Sequence, residues 1–217
     1  MKDSRIAPML VAMTFDLPEG DFEGYVFDCD GTIVDSMPLH FLAWTASFEH
    51  HQAPWKWSDA EFYDNAGVPD REIVAGLNEK YGASIDANSV HDFKLDWYME
   101  HMDQLTAVEP VADIVRQFHA EGRKISIGTG SDLSLVEPSL RHIGMWEYFE
   151  IIVTPADVER GKPAPDMFLL AAEKMGVAPE KCLVLEDGQA GIKAADAAGM
   201  ASVYVPSREW NMAALEK

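Results

Sequence analysis

Hydrophobic positions along the chain follow two different rhythms. Short apolar runs alternate with amphipathic stretches before residue 36 and after residue 106, while between them apolar positions recur only at helical spacing. The first run, Tyr25-Val26-Phe27, predicts a buried strand. In the middle stretch Met37, Phe41, Trp44 and Phe48 fall at i, i+4, i+7 and i+11, one face of a helix, and Ser58 and Glu61 have capping-box spacing. Further helices are predicted over 70–81, stopped by Gly82, and over 89–104. No strand is predicted there. Trp55, Trp57 and Trp97 are expected to pack this helical stretch.

After Val108-Glu109-Pro110, the positions Val111, Ile114, Val115 and Phe118 mark a helix ending at Gly122, and Lys124-Ile125-Ser126-Ile127 reads as a buried strand. The alternation continues with a helix over 131–142 despite Pro138, then a strand over 150–153 and a helix over 165–175. A strand over 181–185, a helix over 189–198 and a strand over 201–205 complete it. Five strands separated by helices predict an α/β fold. Its core is a Rossmann-like parallel sheet covered on both faces, with ligands bound beyond the carboxyl ends of the strands. The helical stretch is expected as an inserted all-helical cap, so that residues 1–35 and 107–217 form the core and 36–106 the cap.

Composition narrows the partners. With 217 residues, 47% of them hydrophobic, the chain can bury a full core. A formal charge of -20, from 17 Lys and Arg against 37 Asp and Glu, repels nucleic acid and anionic membranes. An anionic substrate must therefore be drawn in by local positive charge, a metal ion and a few placed Lys or Arg. Two cysteines, Cys29 and Cys182, make neither a disulfide framework nor metal-ligand spacing, which fits a reducing cytoplasm. The leader 1–24 holds one short apolar piece around Met9 and Leu10, too short for a span and without a cleavage pattern, and is expected to be a packing arm. Oligomeric state is left open.

The chemistry gathers at the predicted strand ends. Asp28-Cys29-Asp30-Gly31-Thr32 follows the first strand and sets two carboxylates two residues apart. One carboxylate there can act as a nucleophile and the other can shuttle protons, provided a cation tempers their repulsion. A calcium loop is rejected because Gly31 and Thr32 stand at its fourth and fifth positions, and a thiol phosphatase on Cys29 because no arginine closes the loop. A plain polar turn stays open on these residues alone. Gly128-Thr129-Gly130-Ser131 offers a hydroxyl and backbone N–H groups at a helix start, either to hold phosphoryl oxygens or simply to make a turn and cap. It is not a dinucleotide fingerprint, because Leu133 holds the third glycine position. Lys162, ahead of Pro163 and Pro165, is either an aimed cation or a surface lysine. Glu186 and Asp187 end a strand with adjacent carboxylates, for which Mg2+ is the natural counter-charge.

In this order, Asp28 and Asp30, Thr129, Lys162, and Glu186 with Asp187 resemble the four motifs of haloacid-dehalogenase-superfamily phosphotransferases. The resemblance covers almost the whole chain. The helical insertion is similar to the superfamily's small α-helical cap, and Gly188-Gln189-Ala190-Gly191-Ile192 resembles the branch with β-phosphoglucomutase and sugar-phosphate phosphatases. Asp30, which the dehalogenases lack, favours phosphoryl transfer over carbon–halogen hydrolysis. Two departures stand out: the leader is longer than usual, and Val111 replaces a frequent glycine.

The resemblance implies that Asp28 attacks phosphorus, that Asp30 is the general acid and base, and that Thr129, Lys162, Gly130 and Ser131 surround the phosphoryl group. It implies magnesium held by the Asp28 carboxylate, the Asp30 backbone carbonyl and Asp187, with Glu186 orienting a coordinated water. In the cap it implies His40 near the leaving group or Asp30, with Trp44 one turn on, and Lys94 and the more loosely spaced Arg71 as substrate contacts. A hinge histidine and solvated helix charges are the competing readings of His40, Lys94 and Arg71. The implied activity is a magnesium-dependent sugar-phosphate phosphatase, with a phosphohexomutase as alternative and a non-catalytic binding protein as the remaining reading.

Overall fold

The computed structural model describes residues 17–66 and 68–206. The expected leader arm falls mostly outside them. Five strands, β1 (Gly24–Phe27), β2 (Lys124–Gly128), β3 (Ile152–Val153), β4 (Cys182–Glu186) and β5 (Ala201–Tyr204), form one parallel sheet in the order β3-β2-β1-β4-β5. β1 is buried at every position, as a continuous apolar run at the centre of a doubly covered sheet should be. The chain leaves β1 toward β2 and leaves β4 toward β5, so the adjacent pair β1 and β4 is a topological switch point. Phe27 is level with Ile127 and Leu185. The residues that follow, Asp28, Gly128 and Glu186, therefore emerge side by side at the carboxyl edge.

Among the described residues eight α-helices accompany the strands: α1 (Met37–His50), α2 (Asp59–Asp64), α3 (Asp70–Tyr81), α4 (Ala87–Glu100), α5 (Glu109–Ala120), α6 (Leu133–His142), α7 (Asp166–Met175) and α8 (Gln189–Ala198). Alternation along the strands splits the sheet's apolar side chains between two layers. Phe27, Ile127 and Leu185 pack with Val111 and Val115 of α5 and Val136 and Leu140 of α6. Val26 and Val184 pack with Met167 and Phe168 of α7 and Ala194 and Ala195 of α8. The helical stretch has its own cluster, in which Met37, Phe41, Trp44 and Phe48 meet Phe62, Ile73, Val74 and Val90. Burial at roughly 25 cal/mol per Å² makes such clusters the main stabilising contribution. The opposite face of α1, Leu39 and Ala43, joins the first sheet layer together with Tyr98 of α4. Trp55 is buried in the helical cluster and Trp57 packs against it, whereas Trp97 packs against the sheet layer.

Boundaries differ from the sequence expectation where polar side chains intervene. α4 starts at Ala87 because the Asp86 carboxylate accepts the Ser89 N–H at 2.9 Å, and it stops at Glu100, before a separate 3-10 turn over Met102–Gln104. β3 is two residues rather than four. α6 starts at Leu133, since Asp132 is extended, which leaves Ser131 outside the helix. Among the described residues no helix is long and apolar enough to cross a membrane.

Candidate active site

Asp28 continues β1 by one hydrogen bond, from its N–H to the Leu185 carbonyl at 2.9 Å. The chain then turns sharply through Gly31, whose φ of +76 belongs to glycine. Gly31 has a second reason to lack a side chain: a Cβ there would collide with the Asp187 carboxylate. The Lys162 side chain, 5% exposed, reaches across from the loop before α7, its Nζ donating to Asp28 Oδ1 at 2.6 Å and to Glu186 Oε2 at 2.7 Å. The other Glu186 oxygen accepts the Gly188 N–H at 2.9 Å, and Gly191 in the first turn of α8 leaves the room that Glu186 fills. Asp187 accepts a hydrogen bond from the Thr32 hydroxyl at 3.2 Å.

Charge is unbalanced here. Asp28, Glu186 and Asp187 bring ligand oxygens within 4.8 Å of one another, against the one ammonium of Lys162. Burial and the Glu186 charge push the Asp28 carboxyl up to about 7, with Lys162 opposing them, and burial with the Asp28 charge pushes Asp187 well above its ordinary value. An all-oxygen donor set short of positive charge fits a hard divalent cation.

Asp30 lies two residues from Asp28 in opposite circumstances. Its Oδ1 accepts the Ser36 hydroxyl at 2.7 Å and contacts His40 Nε2 at 3.1 Å; its Oδ2 accepts the Ser131 hydroxyl at 2.5 Å. Burial alone would raise this carboxyl, but His40 and the three hydrogen bonds outweigh it and hold Asp30 well below the usual range. The imidazole is itself positioned by stacking on Tyr98, with ring centroids 4.6 Å apart. Thr129, buried at the end of β2, accepts the Ser131 N–H on its hydroxyl oxygen at 3.1 Å, which leaves the hydroxyl proton to donate elsewhere.

Asp28, Asp30, Thr129, Ser131, Lys162, Glu186 and Asp187 line a cavity of about 340 Å³, together with Gly130 and with His40, Trp44, Asp70, Arg71 and Lys94 from the helical stretch. Every site residue expected from the sequence thus lines this one cavity. Lys94 is buried rather than solvated and binds both Asp70 oxygens, at 2.8 and 2.9 Å. Arg71 is exposed, and its Nε donates to Asn88 at 2.6 Å.

Four contributors had no role assigned to them from the sequence. Ser36 looks like an N-cap for α1 but makes no capping bond and serves Asp30 instead. Tyr98 acts through its ring against His40, and Gly191 through the room that its missing side chain leaves for Glu186. Asp70 resembles an ordinary acidic first-turn residue.

A family model described as haloacid dehalogenase-like hydrolase matches residues 22–199. The fructose-1-phosphate phosphatase YqaB of Escherichia coli (strain K12) is 35% identical over 184 residues, which are 85% of this chain and 96% of that protein. The beta-phosphoglucomutase of Bacillus subtilis (strain 168) is 32% identical over 188 residues, 83% of this chain and 81% of that protein. Crystalline CbbY from Rhodobacter sphaeroides, in complex with phosphate, shares the fold with a TM-score of 0.78 at 24% identity, covering 88% of this chain and 91% of that one. With carboxylates, threonine and lysine gathered at the switch point of a parallel sheet, and a family match running from β1 to the end of α8, the chain belongs to the haloacid dehalogenase-like hydrolases.

Proposed function

We propose that the protein is a magnesium-dependent phosphatase acting on small sugar phosphate monoesters through an aspartyl phosphate on Asp28, with residues 36–106 serving as a cap over the site. The observation that carries this reading is the contrast between two neighbouring carboxylates: Asp28 bound by the Lys162 ammonium, Asp30 held ionised by hydroxyl and imidazole donors. The contrast supports a nucleophile whose charge is offset in Asp28 and a proton carrier in Asp30. The cavity of about 340 Å³ suits a ligand of sugar-phosphate size.

In the first half, Asp30, ionised at rest, takes up a proton brought by the phosphate monoanion; an Asp28 oxygen then bonds to phosphorus as the ester P–O bond breaks, and the departing oxygen takes that proton from Asp30. In the second, water bonds to phosphorus and gives its proton to Asp30, the bond to Asp28 breaks, and inorganic phosphate leaves. The arrangement of Asp30 described above suits the second half. Protonating the leaving group requires the substrate oxygen to displace one of its three donors, and Oδ2, with Ser131 alone, is the less committed atom. Thr129 and Lys162 hold phosphoryl oxygens, so Lys162 offsets charge on nucleophile and phosphate together. Magnesium would be held by the Asp28 and Asp187 carboxylates and the Asp30 carbonyl, with Glu186 behind them, and would supply the missing positive charge.

The test is phosphate release from a panel of sugar monophosphates with magnesium, with Asp28→Asn as control. Release abolished in Asp28→Asn supports the phosphatase. Conversion of β-glucose 1-phosphate to glucose 6-phosphate with little free phosphate, given a trace of the 1,6-bisphosphate, would replace it by a phosphohexomutase, the activity named for the Bacillus subtilis relative.

A further inference from the structure

The wall of the cavity supplied by α1, α3 and α4 contains a buried ion pair that the phosphoryl chemistry does not use. Asp70, the first residue of α3, is gripped by Lys94 through both oxygens and by His91 Nδ1 at 3.0 Å. Side-chain exposures of 9% for Lys94 and 20% for Asp70 keep the pair out of bulk water, yet both residues line the cavity. Because the carboxylate has no proton to give, His91 Nδ1 carries the proton in that contact. The Lys94 ammonium also lies 4.5 Å from the centroid of the Trp44 ring. Trp44 is one helical turn beyond His40, about 6 Å along the axis of α1, and His40 touches Asp30. The pair therefore shares the cavity with the proton-transfer site, the two linked along α1 by Trp44 and His40.

Its charge decides what can bind. Lys94 offers its positive charge to a site where Asp70 already cancels it, and burial, which would neutralise Asp70, is outweighed by His91 and Lys94, so its carboxyl is lowered to about 2. The other cavity cations are spoken for or peripheral: Lys162 serves Asp28 and Glu186, and exposed Arg71 is bonded to Asn88. A second phosphate in this place would meet a carboxylate without gaining an unmatched buried cation. Hydroxyl groups meet a better match. They can donate to Asp70 and accept the Lys94 proton that has no oxygen partner among the described residues, beside an aromatic face.

We infer that Asp70 and Lys94, with His91 and Trp44, form a subsite for the uncharged, hydroxyl-bearing end of the substrate and reject a second phosphate, so that the protein takes sugar monophosphates and excludes bisphosphates. This rests on the phosphatase reading above and narrows it to a substrate class. It also separates the chain from a mutase, whose turnover must accommodate a bisphosphate.

The experiment compares kcat/KM for fructose 1-phosphate and fructose 1,6-bisphosphate in the magnesium-loaded protein, in Asp70→Asn and in Lys94→Met. The unmodified protein should prefer the monophosphate at least about tenfold, because like charges brought together at a desolvated site are strongly disfavoured. Asp70→Asn, which leaves the ammonium unmatched, should shrink that preference about tenfold or more, chiefly through a lower KM for the bisphosphate. Lys94→Met, which leaves the carboxylate unmatched, should widen it. A preference below about twofold in the unmodified protein overturns the inference, as does a preference that Lys94→Met narrows. An unmoved preference in an Asp70→Asn protein that melts normally overturns it too; if that variant does not fold, the other two ratios decide. Hydrolysis of p-nitrophenyl phosphate, which has no sugar end, separates the two levels: activity there without discrimination between the sugars sinks the subsite alone, and inertness toward every ester sinks the phosphatase reading with it.

Discussion

Lys162 and Lys94 are both lysines with buried side chains bound to carboxylates in one cavity, yet they answer opposite electrostatic problems. Lys162 sits between Asp28 and Glu186 with Asp187 alongside, one positive charge among three negative ones. Lys94 faces Asp70 alone, one against one. The first region is left short of positive charge, which keeps Asp28 and Asp187 hard to ionise until a cation arrives. The second is balanced and needs nothing further. A buried pair is not in itself a stabilising feature, because desolvation offsets most of its attraction. What distinguishes these two is what each leaves unsatisfied.

The sharpest way to break the comparison is Lys162→Met, which leaves the three carboxylates with no ammonium. Turnover of a sugar monophosphate is expected to fall about a thousandfold or more, as when a preorganised charge at a reacting centre is removed. A loss below about tenfold in steady-state assays would mean that Lys162 is a structural counterion only.

Gly191→Ala attacks the same region without touching a charge. The added methyl group would occupy the space of the Glu186 carboxylate, so Glu186 must leave Lys162 or α8 must shift. Loss of such a supporting contact behind a metal site is expected to lower kcat about 10- to 100-fold. Magnesium titrations of activity should show a raised requirement, while far-ultraviolet circular dichroism stays unchanged.

Acidity separates the two regions by sign. In protein treated with a chelator, Asp28 has its folded value raised from 3.8 to about 7, so the protonated form is favoured by folding. Its contribution is full below about pH 4 and is lost as pH rises through 7, and Asp187 acts in the same direction. Asp70 is lowered from 3.8 to about 2, so its contribution is present above about pH 4 and lost only as pH falls through 2. Between pH 4 and 7 the melting temperature of the chelated protein should therefore decline by several degrees, driven by the first region with the second silent. Magnesium should flatten the decline. A melting temperature that rises over this window would contradict the assignment of charge deficit to Asp28.

The same division runs through what the sequence reveals. Strand ends announce themselves: apolar runs stopping at Asp28, Gly128 and Glu186 are local patterns, and a parallel sheet brings such ends together whatever the loops do. Lys162 had two local readings, a cation aimed by Pro163 and Pro165 or a surface lysine, and only the family resemblance chose between them. The helical stretch gave its helices through periodicity and the Ser58 capping box, which forms as expected. Its polar geometry was hidden, because Asp70 meets Lys94 across 24 residues and two helices. Ser36 shows how a local rule is overridden. Ser36 stands at the N-cap of α1, but Pro38 has no N–H to give there, and the Ser36 hydroxyl donates to the charged Asp30 carboxylate instead.

Arg71 gives the smallest test, and it probes the boundary of the balanced region. It lines the cavity, but it is exposed and its Nε is occupied by Asn88, so solvent screens whatever charge it presents. Arg71→Ala is expected to change kcat/KM for a sugar monophosphate by no more than about threefold, in line with the small worth of exposed charges. An effect of tenfold or more, confined to KM, would place Arg71 in contact with substrate and extend recognition beyond the Asp70–Lys94 pair. The distinction matters for the second phosphate: a screened arginine at the rim cannot compensate a dianion beside Asp70, whereas one that closes onto the ligand could, and the bisphosphate would then lose its disadvantage only while Arg71 is present.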